Sequence, residues 1–246
     1  MGNPTAAMLV IGDEILSGRT RDRNLAHLAV SLTGKGIDLR EARVVPDVEA
    51  EIIAAVNALR ARYTHVFTSG GIGPTHDDIT ADAIAAAFGL PIGVREDALA
   101  VLSTNYADPE RELNEARLRM ARVPEGAVLI DNPISKAPGF SVENVHVMAG
   151  VPEIFAVMLE GLLPRLTGGR PLLSESLCIE RPEGDIAGPL REFAARHPEL
   201  SVGCYPRNRG GVLGCIVVVR TPDAESLAAA RAQLEVELIR TDTQEG

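Results

Sequence analysis

Residues Thr64 to Ala87 read THVFTSGGIGPTHDDITADAIAAA. The first six, Thr64–Ser69, are β-branched and aromatic and predict a short buried strand. Gly70, Gly71 and Gly73 follow at once, and the alanine-rich run Ala81–Phe88 predicts a helix stopped by Gly89. A strand that feeds a glycine-rich turn and then a helix makes an anion site. Glycines let backbone approach a ligand, and the free N–H groups at the helix start face a phosphate placed there. The pair Asp77–Asp78 departs from an ordinary phosphate loop, because two carboxylates repel an anion unless a cation lies between them. Mg²⁺ commonly bridges one or two carboxylates and substrate phosphates. The stretch therefore points to a phosphorylated ligand held with a divalent metal. The plainer alternative is a tight turn, with Asp78 or Thr80 as the helix N-cap.

Upstream, Thr5–Ile11 predicts a strand ending at Gly12-Asp13-Glu14. A helix follows from about Asp22, with Leu25, Leu28, Ala29 and Leu32 on one face and Gly34 as its stop. A second strand spans about Ile37–Val45, and the next helix buries Val48, Ile52, Val56 and Leu59. Strand–helix alternation at this spacing predicts an α/β fold with a doubly wound, mostly parallel sheet. In such sheets ligands collect beyond the carboxyl ends of the strands. Asp13, Asp47 and Asp77/Asp78 each follow a strand, so spacing alone brings them to one edge. Asp47 also stands where a helix N-cap is expected, which is its plainer reading.

Downstream, helices are expected at Glu96–Thr104 and Pro109–Met120, a strand at Ala127–Asp131 and a hairpin over Phe140–Met148 around Glu143-Asn144. A helix then runs from Pro152 to about Leu163. Thr167–Pro171 is a linker. A small α+β module in βαββα order follows: Ser174–Ile179, Ile186–Arg196, Leu200–Tyr205, Val212–Arg220 and Asp223–Leu238. The expected domains are residues 1–168 and 172–246.

Composition narrows the function. The chain of 246 residues is 46% hydrophobic but only 3% aromatic and has no Trp, so its core is aliphatic. The formal charge of −10 argues against nucleic acid or a membrane surface as partner, since both select a basic face. It also leaves an anionic substrate without help from the global field, which again favours a cation. No apolar run approaches the ~20 residues that span a bilayer. The N-terminus has no basic segment before its apolar run, so no signal peptide is expected. Cys178, Cys204 and Cys215 lack metal-ligand or CxxC spacing, and read as reduced, buried thiols of a cytoplasmic protein. Gly12–Thr20 resembles a nucleotide P-loop only loosely, being one residue too long with Arg19 for the lysine. The five histidines form no i, i+4 pair, so a zinc site is not expected. Arg19, Arg21 and Arg23 read as a solvated face.

Ser69–Thr80, SGGIGPTHDDIT, closely resembles the signature of the molybdopterin-binding (MoaB/Mog) superfamily, and most of all its competence/damage-inducible protein A (CinA) branch. Ile11–Gly18 with Asp22 and Asn24, Val45-Pro46-Asp47, Leu113–Pro124, Asn132-Pro133, Ala137-Pro138-Gly139 and Gly150–Glu153 are similar to further blocks of that branch. Val202–Pro206 extends the resemblance into the small module. Ser135-Lys136 stand where the branch usually shows Gly-Thr, and Ala149 where a proline is common. Long members carry a C-terminal deamidase module, which a chain ending at Gly246 is expected to lack.

The resemblance implies a molybdopterin-binding fold, with Asp47 and Asp78 as the catalytic and metal-holding aspartates. Asp77 joins them as a metal candidate. Gly70, Gly71 and Gly73 would cradle phosphate, with Thr75, Asp13 and Asn24 as outer contacts to a nucleotide or pterin phosphate. The metal would be Mg²⁺, Mn²⁺ or Co²⁺. The implied activity is cleavage of a pyrophosphate such as ADP-ribose or FAD. Adenylyl transfer to molybdopterin and ligand binding without turnover are the alternatives. A homo-oligomer is expected, as closed oligomers are common for such domains.

Overall fold

The computed structural model describes residues 2–239, and the chain divides into two compact units, Met1–Gly169 and Arg170–Gly246. Met1 and residues 240–246, the outer ends of the two expected domains, lie outside the described residues.

In the first unit, β1 (Thr5–Ile11) leads through a short α1 (Asp13–Leu16) to α2 (Asn24–Lys35), and β2 (Asp38–Val45) to α3 (Glu49–Arg60). β3 (His65–Ser69) leads to α4 (Thr80–Phe88). After them come β4 (Ile92–Val94), α5 (Glu96–Ser103), α6 (Pro109–Glu112), α7 (Glu115–Leu118), β5 (Arg122–Pro124) and β6 (Val128–Ile130). β7 (Gly139–Val142), β8 (Val145–Met148) and α8 (Pro152–Leu162) complete the unit. The main sheet has the order β2-β1-β3-β8-β7-β6. Its first four strands are parallel, while β7 and β6 each run antiparallel to their neighbour. The hairpin accounts for the reversal: Glu143 turns the chain at φ +48° and sends β8 back beside β3.

Both faces of the sheet are covered, which explains the unbroken apolar run of β1. Ala7, Leu9 and Ile11 pack with Ile52, Val56, Leu59 and Ile84 of α3 and α4. Ala6, Met8 and Val10 pack with Leu28, Leu32, Phe155 and Leu159 of α2 and α8. Parallel pairing of β1 with β2 and β3 places their carboxyl ends on one edge of the sheet.

Several expectations need correction. α2 runs past Gly34 and ends at Gly36, which takes the left-handed conformation (φ 70°) that closes a helix. Val48 is exposed, because the chain is still extended there and the helix begins one residue later. Residues 109–120 do not form one helix. The chain leaves helical geometry at Leu113 (ψ 80°), and the Asn114 side chain accepts from the Arg117 N–H to start α7. Of the cysteines only Cys215 is buried; Cys178 is exposed and Cys204 half-buried, and all three are free thiols.

The second unit has the expected βαββα order: β9 (Leu173–Ile179), α9 (Glu183–Arg196), β10 (Ser201–Arg209), β11 (Val212–Thr221) and α10 (Ala224–Ile239). Its antiparallel sheet, order β10-β11-β9, packs Leu177, Ile179, Cys215, Val217 and Val219 against Ile186, Phe193, Leu227 and Leu234. No helix among the described residues is long and apolar enough to cross a membrane.

Candidate functional site

The glycine loop is built by close approach. A Cβ on Gly70 would lie 2.2 Å from the Ile11 carbonyl oxygen, and Gly70 holds φ +108°. A Cβ on Gly71 would lie 2.2 Å from Thr80 Oγ1, at φ +67°. A side chain at Gly70 would require backbone movement, and one at Gly71 would displace the Thr80 side chain and hold a strained positive φ. Thr80 fastens the loop to α4. Its hydroxyl donates to the Gly70 carbonyl at 2.9 Å, and its N–H to the Gly71 carbonyl at 2.9 Å. The plain N-cap reading of Asp78 and Thr80 therefore fails: Thr80 points back into the loop, and α4 starts with no side-chain cap.

Asp78 is held by Thr75 instead. The Thr75 N–H donates to Asp78 Oδ2 at 2.8 Å and its hydroxyl to the same oxygen at 2.5 Å. That oxygen lies against Gly73, only 2.6 Å from where a Cβ would be. Thr75 thus orients the carboxylate. Asp47 is half-buried, and its Oδ2 accepts from the Asp13 N–H at 2.9 Å, so it ties the β1 loop rather than capping α3. Burial pushes the Asp47 carboxyl above its ordinary value; the Asp13 N–H opposes this, and the charges of Glu14, Asp13 and Asp77 push further upward. These causes bring Asp13 and Asp77 near Asp47, and Asp78 is not among them. Among the described residues no group of three or more His, Cys, Asp or Glu is arranged to hold a metal ion. Asp77 is exposed, 3.9 Å from His76 Nδ1.

Asn24 is buried, and its amide donates to Ser69 Oγ at 2.7 Å and to the Gly150 carbonyl at 2.8 Å. Its amide N–H groups brace α2, the end of β3 and the loop before α8, and Asn24 lines a small neighbouring pocket with Glu14, Thr20 and Gly150.

A cleft of about 500 Å³ opens beside the loop. Gly70, Gly71, Gly73 and Asp78 line it together with Asn132, Ser135, Ala137 and Gly150. Of the expected contacts the cleft gathers the three glycines and Asp78. Asp13, Asp47, Asp77, Thr75 and Asn24 do not line it, and Glu14 does. A narrow neighbour shares Ile72, Gly73, Asp78 and Met120 and adds Asp82, Arg119 and Arg122. Both arginines fall inside the Leu113–Pro124 block without being singled out there, and Thr80 is expected only as a helix N-cap. Asn132 carried a signal, as half of the Asn132-Pro133 block; it is buried and donates to the Ala137 carbonyl at 2.8 Å, shaping the cleft wall. Lys136, on that wall's loop, stands in left-handed geometry (φ 59°).

The family described as "Probable molybdopterin binding domain" matches residues 7–168, and the chain belongs to it. Within that class the similarity runs to CinA-type proteins. A CinA-like protein of Desulfosudis oleivorans is 35% identical over 242 residues, 93% of this chain and 58% of that protein. The crystal structure of a CinA protein from Thermoplasma acidophilum superposes with a TM-score of 0.62 at 34% identity, covering 66% of this chain and 97% of the other. A protein of Pyrobaculum calidifontis is 37% identical over 213 residues, 83% of this chain and 81% of its own length. Residues 171–244 match a second family, described as "FAD synthase, middle domain".

Proposed function

We propose that this protein binds a nucleotide or pterin phosphate in the glycine-loop cleft and hydrolyses a pyrophosphate bond there, of the kind found in ADP-ribose or FAD. The observation that carries the proposal is the placing of Asp78. Its carboxylate stands in the wall of a cleft large enough for a nucleotide, beside loop backbone that can donate N–H groups to phosphate. Asp47 and Asp78 would hold a divalent metal, which when bound neutralises phosphoryl charge and orients water. The donor set suits a hard cation with oxygen ligands. The charge that Glu14, Asp13 and Asp77 crowd onto Asp47 is what a cation would relieve. With fewer than three protein ligands assembled, the ligand's own phosphate would complete the coordination, as Mg²⁺ sites commonly do.

The chain's own work is threefold. Thr75 presents the Asp78 carboxylate, Thr80 keeps the loop open to a phosphate, and the Asp13 N–H keeps Asp47 oriented. The match to a FAD synthase middle domain supports a dinucleotide-like ligand. The description of the first family supports a pterin as the ligand, which leaves adenylyl transfer to that pterin as the second reading. Cytoplasmic location and homo-oligomeric assembly belong to the same proposal.

The test is release of AMP from ADP-ribose and FAD with Mg²⁺, Mn²⁺ or Co²⁺ against a chelated control. Metal-dependent release, abolished in Asp78→Asn while the fold survives, is the expected result. No release from any dinucleotide sinks hydrolysis, and ATP consumption only with pterin present would install the second reading.

A further inference from the structure

The two clefts beside the glycine loop are lined by carboxylates and by two cations, Arg119 and Arg122. Arg122 is committed, since its guanidinium pairs with Asp82. Arg119 is not: among the described residues it makes no ion pair, and its one hydrogen bond runs from Nη2 to the Asp78 backbone carbonyl at 3.0 Å. Its Nε is buried without a partner. A guanidinium in this state is under-satisfied, because it has no ion-pair partner within 4.0 Å, although Asp78 and Asp82 line the same narrow cleft, and a desolvated N–H lacks an acceptor. It stands directly behind Asp78, in a chain whose formal charge is −10.

From this geometry we infer that Arg119 is the cation with which the anionic ligand of this site pairs, and that it fixes the site's selectivity for phosphate. The inference rests on reading the cleft as a phosphate site. Arg119 has two tasks. It pins the backbone of the Asp77–Asp78 turn, and it sets an unpaired positive charge where a phosphate lying along Gly73 would meet it through little intervening water. A phosphate there supplies the acceptor and the countercharge that the protein withholds.

The probe is inorganic pyrophosphate, titrated calorimetrically in Mg²⁺ into the full chain and into Arg119→Gln and Arg119→Lys. Glutamine keeps a donor for the Asp78 carbonyl and loses the charge; lysine keeps the charge. We expect about a tenfold or greater loss for Arg119→Gln and a retained affinity, within about threefold, for Arg119→Lys. Wild-type affinity should fall with added salt and the glutamine variant's less so, a difference that a purely structural role would not produce. Arg111→Met, which alters an exposed arginine paired with Asp108, should bind as wild type. Absence of wild-type binding, equal binding by Arg119→Gln, or an equal loss in Arg119→Lys overturns the inference. Should Arg119→Gln fail to fold, wild-type binding that ignores salt overturns it as well. Dinucleotide turnover is scored separately. Its absence with pyrophosphate binding intact would remove hydrolysis and leave Arg119 in place.

Discussion

At the scale of single residues, the site is a set of positions where the ordinary side chain is forbidden or the charged form disfavoured. Gly71→Ala would force a methyl against Thr80 Oγ1 at a positive φ. It should cost about 1–3 kcal/mol in urea unfolding, with loss of ligand binding. Asp47 behaves in the opposite sense. Its raised pKa means that the fold disfavours the carboxylate it carries at neutral pH. Asp47→Asn keeps an acceptor for the Asp13 N–H, so its thermal midpoint should equal or exceed wild type while metal-dependent turnover disappears. Metal affinity should likewise weaken on acidification from a higher pH than an exposed aspartate would give, because the carboxyl must lose its proton to bind. The glycines and Asp78 were legible in sequence because spacing after a strand fixes their edge. The loop-fastening role of Thr80 and the partners of Arg119 and Arg122 within the Leu113–Pro124 block were not, since those partners lie 10, 41 and 40 residues away. The bracing role of Asn24 was hidden for a related reason, since its amide meets Gly150, 126 residues on.

Among elements, the strands were the most readable. β1 was found to its end residues because a strand buried on both faces must be apolar throughout. Residues 109–120 were misread because a helical composition continues across Leu113, where the backbone breaks, and Asn114 restarts the helix. Strand β8 carries a further consequence. His146 lies beside His65 of β3, with Nε2 3.3 Å from His65 Nδ1, while its own Nδ1 meets Ser141 Oγ at 2.9 Å. Burial, and then the neighbouring His65, push its pKa down to about 3; burial lowers His65 too. The unfolded chain therefore binds protons that the folded one refuses, and stability falls as pH drops below the unfolded value, until the folded value is reached. His146 alone should remove about 2 kcal/mol between neutral pH and pH 5. Urea midpoints measured from pH 7.5 to 5 should show this loss, and it should be reduced in His146→Gln. A pH-independent midpoint would contradict the buried, neutral pair.

For the whole molecule, each of the two units has its own aliphatic core, so each can lose structure separately. Calorimetric unfolding should resolve two transitions, and pyrophosphate with Mg²⁺ should raise only the one belonging to residues 1–169. A single transition raised as a unit would show that the units are coupled. The bond from Asn24 to Gly150 bears also on the order of events as the chain folds. It closes a loop across most of the first unit, and a Cβ on Gly150 would come within 3.2 Å of the Gly70 Cα. The ligand's cradle is thus a seam between segments made early and late in synthesis, and it exists only once residue 150 has docked. The closure entropy of so long a loop must be met before the seam yields any contact. A ligand that needs the finished seam cannot hurry the chain toward it. It should leave the refolding rate unchanged and slow the unfolding rate, so that what it confers is persistence rather than speed.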